Sequence, residues 1–258
     1  MISVTILVKN GQSRLGEVLN ALKKFDEIIL LDTGSTDQTL EIAKDFSNVA
    51  IHHAPLQGFG PTHNLAASLA KNDWILSIDD DEVVTPELAE EILSLNLNPD
   101  HLYTLPFFNF FNGKKIKWCG WYPEKHTRLY HRKKTGFTDA MVHEGVMTKN
   151  LQPITLRNPV HHHSYDSLSD FLTKMEHYST LFAEQHRAKR KSSPLIALYH
   201  GVGGFLKSYF LKKGFMGGYE GFLISVYNGH TAFYKYLKLY HANATRPHVP
   251  QSRDRETR

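Results

Sequence analysis

Four consecutive carboxylates, Asp79, Asp80, Asp81 and Glu82, follow directly on the apolar run "WILSI". Neighbouring carboxylates about 4 Å apart repel by roughly 1 kcal/mol in water and about 4 kcal/mol at an effective dielectric of 20. A half-buried group of this kind therefore requires a cation. Oxygen ligands with no cysteine nearby suit Mg or Mn, ions usually shared with substrate phosphates. A plainer reading makes Asp80 to Glu82 a solvated loop feeding a helix start, where the helix dipole favours acids. Position favours the cation: the acids close a fourth strand, and another acid, Asp32, closes the second.

The elements that must position these groups are legible in the first hundred residues. Strand-like runs at 3–8, 27–32, 49–53 and 74–79 alternate with helical patterns at "SRLGEVLNALKK", "STDQTLEIAKDF", "PTHNLAASLAKN" and "TPELAEEILSL". This is the signature of an α/β fold with a mostly parallel sheet flanked by helices. Ser35 and Thr36 are expected to cap the second helix, and Thr85, followed by Pro86, the fourth. In such sheets ligands bind beyond the carboxyl ends of the strands. The residues there are Lys9 and Asn10, Asp32 to Ser35, and Asp79 to Glu82. The turn "LVKNGQSRLG" lacks the GxGxxG of dinucleotide binders, and neither a Walker loop nor a GxSxG elbow occurs. Phosphates would have to be held through a metal.

Past residue 101 the pattern turns to short aromatic β-type pieces, with Asn112-Gly113 as a hairpin signal. Helical patterns return at 167, and the tail from 241 to 258 is polar. With 41% hydrophobic and 22% charged residues, composition indicates neither disorder nor a disulfide scaffold. A single cysteine, Cys119, fits a reducing compartment. "MISVTILVKN" reads as a strand without a secretory leader, and no apolar run is long enough for a spanning helix. The net charge of +4 conceals an asymmetry. Residues 1–186 carry 17 Lys and Arg against 23 Asp and Glu, whereas residues 187–258 carry 13 against 3. The basic, aromatic C-terminal third suits an anionic surface, with no nucleic-acid-binding pattern in it.

Taken together, "ISVTILVKN", "LLDTGSTDQT", "GFGPTHNLA" and "DWILSIDDDEVVTPEL" resemble the family-two GT-A glycosyltransferases. "HTRLYHRKK", "MVHEGV", "HHHSYDS" and "LKKGFMGGYEGF" are similar to the bacterial lipopolysaccharide inner-core enzymes that add glucose to heptose. The resemblance implies a GT-A domain over 1–166, a helical membrane-facing extension over 167–240 and a flexible tail over 241–258. It implies inverting transfer of a hexose, glucose for preference, from a UDP-sugar donor to a lipopolysaccharide-core acceptor. The protein would be cytoplasmic, held peripherally on the inner face of the inner membrane.

Residue by residue, the resemblance places Val8, Asn10, Asp32, Asn64, Asp79 and Asp80 at the nucleotide-sugar and gives the metal to Asp81 and His162. His63 stands where relatives often carry Arg or Lys. Arg128 and Arg132 would face phosphate or acceptor, with a solvated strand face as the alternative. Inversion needs a base on the acceptor hydroxyl, assigned to Glu144 with Asp139 as the other candidate. His161, His162 and His163 could alternatively form a zinc site, but adjacent strand residues do not share a face. Two rival functions are transfer to another surface-polysaccharide or lipid-linked acceptor, and a non-catalytic nucleotide-sugar binding protein.

Overall fold

The computed structural model describes residues 1–139, 145–148, 150–165 and 167–245. Its first strands are β1 (Ile2–Val8), β2 (Glu27–Asp32), β3 (Val49–His53) and β4 (Trp74–Asp79), connected through helices α1 (Leu15–Ala21), α2 (Thr39–Lys44) and α3 (Phe59–Leu69). All three pairings, β1 with β2, β1 with β4 and β2 with β3, are parallel. In β2 every residue is buried, because the sheet is covered on both faces. Ile28 and Leu30 join Val18 and Leu19 of α1 in one core cluster, whereas Ile29 joins Ala67 and Ala70 in a second.

The sheet continues as β5 (Glu82–Val84), β6 (His101–Phe111), β7 (Lys114–Lys115), β8 (Glu124–His131), β9 (Gln152–Thr155) and β10 (Val160–His162). Its order is β3-β2-β1-β4-β8-β6-β10-β5, with β7 and β9 also on β6. The β4–β8, β8–β6 and β10–β5 pairs are antiparallel, so the sheet is mixed. Asn112 and Gly113 turn β6 into β7 with φ of 51° and 69°, the left-handed values a tight hairpin requires.

Two expectations need correction here. Helix α2 starts at Thr39, because Asp37 Oδ1 captures the Thr39 N–H while Ser35 and Thr36 are tied to Asn10. Glu82 belongs to a strand, not to a helix-start loop. The cap of α4 (Pro86–Leu93) is as expected, with Thr85 accepting from the Leu88 N–H at 3.3 Å.

Two compact units divide the chain, Met1–Lys115 with Trp121–Ser164, and Ile116–Gly120 with the helices from Tyr165 onward. The second holds α5 (Leu168–His186), α6 (Pro194–Leu206), a π-helical turn (Lys207–Leu211), a 3₁₀ turn (Gly214–Gly217) and α7 (Gly218–Ala244). Ser167 and Asp170 form a reciprocal capping box on α5. Glycines let α6 and α7 approach closely: a Cβ on Gly229 would stand 3.0 Å from the Gly201 carbonyl. No helix among the described residues is long and apolar enough to cross a membrane.

Candidate active site

At the carboxyl ends of β1 and β2 the backbone is knotted into one loop cluster. Thr33 donates from its N–H to the Val8 carbonyl at 2.9 Å. Asn10, at φ 58°, accepts from the Thr36 N–H at 2.8 Å and donates its own N–H to Ser35 Oγ at 3.0 Å. Asp32 accepts from the Gly34 and Ser35 N–H groups at 3.2 and 3.0 Å and lies 3.2 Å from His53 Nδ1. Burial raises its carboxyl pKa, but these donors outweigh burial and bring it below the usual range. Val8, Asn10 and Asp32 therefore sit together at the strand ends, with the polar side chains already committed to the loop. Asp80 packs against the same cluster: a Cβ on Gly11 would stand 2.5 Å from Asp80 Oδ2, so a larger residue there would displace the Asp80 side chain.

Asp79 closes β4 with a side chain 36% exposed, and Glu82 opens β5 with one 2% exposed. Both are paired with Arg128 of β8, which donates to Asp79 Oδ2 at 2.7 Å and to Glu82 Oε1. Glu82 also accepts the Asp79 N–H at 3.0 Å. One guanidinium thus serves two acids. Burial raises the Asp79 carboxyl, but Arg128 and the nearby His63 prevail and hold it at about 2. Burial pushes Glu82 up, to about 8, Arg128 opposing and Asp79 adding to the rise. Arg128 is an internal counter-ion buried beneath the acids, which corrects its assignment to phosphate or acceptor.

Asp81 stands beside His162. The β10 register sets His162 level with Glu82 on one side and Asn109 on the other, and the His163 N–H reaches the Asp81 carbonyl at 3.0 Å. His162 Nε2 lies 3.5 Å from Asp81 Oδ1 and 2.7 Å from Ser164 Oγ. Asn109 donates its amide hydrogens to the Trp121 carbonyl at 3.1 Å and to the Glu124 carboxylate. Both partners only accept, so Asn109 Oδ1 is the atom facing His162 Nδ1 at 2.8 Å. Nδ1 must carry the hydrogen, leaving the neutral ring's lone pair on Nε2, beside Asp81. Burial lowers the His162 pKa, but Asp81, Glu82 and Glu124 outweigh it and raise it. A carboxylate oxygen and an imidazole lone pair would form a donor pair that fits Mg or Mn. Among the described residues no group of three or more His, Cys, Asp or Glu could hold an ion alone.

Three other expected residues lie elsewhere. Asn64 grips the Phe137 backbone from both sides, accepting from its N–H at 2.9 Å and donating to its carbonyl at 3.0 Å. Its amide is therefore spent on fixing the segment that leads toward Glu144, not on the donor. His63 stacks on the Phe137 ring at 4.3 Å. Arg132 donates to the Ala67 and Ala70 carbonyls at 2.8 and 2.7 Å and to Asp73 at 3.2 Å. It clamps the end of α3 beside the start of β4, the strand end opposite Asp79. Asp139 is exposed and lines a cleft of about 560 Å³ with Asn64, Arg132 and Lys133, away from Asp79, Asp81 and His162. Glu144 lies outside the described residues.

The family model for glycosyl transferase family 2 matches residues 3–151, more than half of the chain and all of β1 to β8. The chain belongs to that family. This glycosyltransferase has the GT-A fold, a mixed sheet flanked by helices and followed by C-terminal helices. It is 29% identical over 253 residues to an uncharacterized glycosyltransferase of Rickettsia prowazekii, covering 92% of this chain and 86% of that one. It is 24% identical over 261 residues to the lipopolysaccharide core biosynthesis glycosyltransferase LpsC of Rhizobium meliloti, covering 96% of each. The solved structure of S. aureus TarS 1-349 with UDP-GlcNAc is 15% identical, with a TM-score of 0.47 over 94% of this chain and 89% of that one.

Proposed function

We propose that this glycosyltransferase moves a hexose, glucose by preference, from a UDP-sugar to a heptose of the lipopolysaccharide inner core, inverting the anomeric centre, with Mg or Mn as cofactor. The observation that carries the reading is the Asp81–His162 pair, in which Asn109 holds the imidazole in the tautomer that offers Nε2. Asp81 and His162 would hold the ion, which when bound neutralises the charge that gathers on the leaving diphosphate. Asp79, kept ionised by Arg128, would accept from the ribose hydroxyls, and Asp80 would line the donor pocket beside Gly11. Glu144 is proposed as the base that takes the acceptor hydroxyl proton as its oxygen attacks the anomeric carbon from the face opposite UDP. The name of the Rhizobium relative supports a lipopolysaccharide-core acceptor.

A screen of UDP-sugars with purified lipid A plus inner core as acceptor tests this reading. Transfer should require Mg or Mn and be strongest with UDP-glucose. Glu144→Gln should keep UDP-sugar binding and lose transfer by several orders of magnitude, and unchanged transfer would remove Glu144 from the mechanism. Asp81→Ala should abolish metal-dependent UDP binding. Transfer to a different surface-polysaccharide or lipid-linked acceptor, with the core inert, would refute the acceptor while leaving the donor half standing.

A further inference from the structure

Between Glu184 and Glu220 the chain has no acidic residue and seven cations, Arg187, Lys189, Arg190, Lys191, Lys207, Lys212 and Lys213. The same segment exposes its large apolar side chains. Leu195, Tyr199 and Leu211 are 77%, 76% and 77% accessible, and Val202, Leu206 and Phe210 are exposed with them. On α6 the exposed positions recur at helical spacing, 195, 199, 202 and 206, so they form one stripe that the π-helical turn extends. Exposed apolar patches of this extent mark an interaction surface. At the start of α6, Arg190, Lys191, Tyr199 and His200 line a cleft of about 450 Å³. Beside it an apolar groove of about 400 Å³ runs between α6 and α7, walled by Leu198, Val202, Phe205 and Phe233.

We infer that this face is an in-plane membrane-docking surface for an anionic phospholipid bilayer. The stripe enters the acyl boundary while Arg190 and Lys191 at one end, and Lys212 and Lys213 at the other, meet headgroup phosphates. The cleft accepts a phosphate and the groove an acyl chain. Charge selects the bilayer over a second copy of the chain. A two-fold contact would set each copy's acid-free, cationic segment against its own image, whereas an anionic surface complements all seven cations.

The test uses the full chain and vesicles of phosphatidylcholine with or without phosphatidylglycerol, with no sugar donor present, so it is independent of the proposed transfer. Flotation with the anionic vesicles is expected, falling at least about tenfold for Leu195→Glu combined with Leu211→Glu, and for Arg190→Glu combined with Lys191→Glu. Leu93→Glu, on exposed α4, should float as the parent does, and every variant should keep the parent's far-ultraviolet circular dichroism spectrum, reporting an intact fold. Failure of the parent chain to float, or flotation undiminished in both double variants, would overturn the inference. So would a parent dimer in solution that Leu195→Glu with Leu211→Glu converts to monomer.

Discussion

At the scale of single residues, the site depends on side chains that fix the state of others. Asn109 is buried, yet its amide determines which His162 nitrogen carries the hydrogen. Asn109→Leu should leave the fold intact and weaken Mn binding in the presence of UDP by roughly 10–100-fold, the usual cost of losing a metal ligand's supporting partner. Titration calorimetry checks this, and unchanged Mn affinity would show that Asn109 does not orient the ring. His63 gives a pH prediction. Burial lowers its pKa to about 4 from 6.5, with Asp79 opposing and Arg128 assisting. Between those values the unfolded chain binds a proton that the folded chain refuses, so stability falls as pH drops from 6.5 toward 4. The full contribution is present above 6.5 and is on the order of 3 kcal/mol. His63→Gln should flatten this part of the stability-against-pH curve in denaturant titrations. Asp81 was legible as one of the acids past β4, whereas His162 was named only through the family resemblance. Asn109 was not singled out, and Glu82 was read only as one of four acids, without its pairing to Arg128. Asn109 carried a signal all the same: it is the polar member of the buried alternation Phe107, Asn109, Phe111. Glu82 gave none, since its partner Arg128 is 46 residues away.

At the scale of elements, arginine placement decides between two readings of β8. Arg128 and Arg132 are four apart in sequence, but one lies beneath the acids and the other caps α3 at the far end of the strands. Arg132→Ala removes hydrogen bonds to two helix-end carbonyls and the ion pair with Asp73. Bonds from a charged donor contribute about 1.5–3 kcal/mol each when the partner is left buried. A loss of about 2–4 kcal/mol is expected, discounted for the partial exposure of Asp73. Turnover and KM per folded molecule should stay within about twofold. A raised KM for UDP-sugar at unchanged stability would return Arg132 to the phosphate. The parallel strands β1 to β4 were legible because continuous apolar runs and capped helices alternate there. The three-residue β5 was not, since its Val83-Val84 is too short for a period and its pairing with β10 is long-range. The start of α2 was misplaced because Asp37 competes as a local cap, a choice that Ser35 and Thr36 obscure.

At the scale of the whole molecule, the uneven charge is the feature that sequence alone reported most faithfully, being a count. Its consequence needed coordinates, because only the fold could tell a solvated lysine face from cations flanking an exposed apolar stripe. The acids of residues 1–186, 23 against 17 bases, include several spent on internal pairs such as Asp79 and Glu82 with Arg128. The C-terminal excess, 13 bases against 3 acids, has few internal partners in sequence. Two kinds of binding should therefore respond differently to salt. Each cation near an anionic bilayer contributes about 1 kcal/mol, and that attraction decays within a Debye length, about 10 Å at 0.1 M and 3 Å at 1 M. Vesicle association should thus weaken at least about tenfold as ionic strength rises between those limits, the exposed stripe retaining a residual, salt-resistant part. The proposed Mn-dependent UDP binding would act over bond-length distances within a partly buried site, where screening is weak, and should change by no more than about threefold over the same range. Parallel vesicle sedimentation and calorimetric titration at each salt concentration separate the two. If UDP binding collapsed with salt as steeply as vesicle association, the nucleotide would be held by exposed cations of the C-terminal third, and the Asp81–His162 assignment would fail with it.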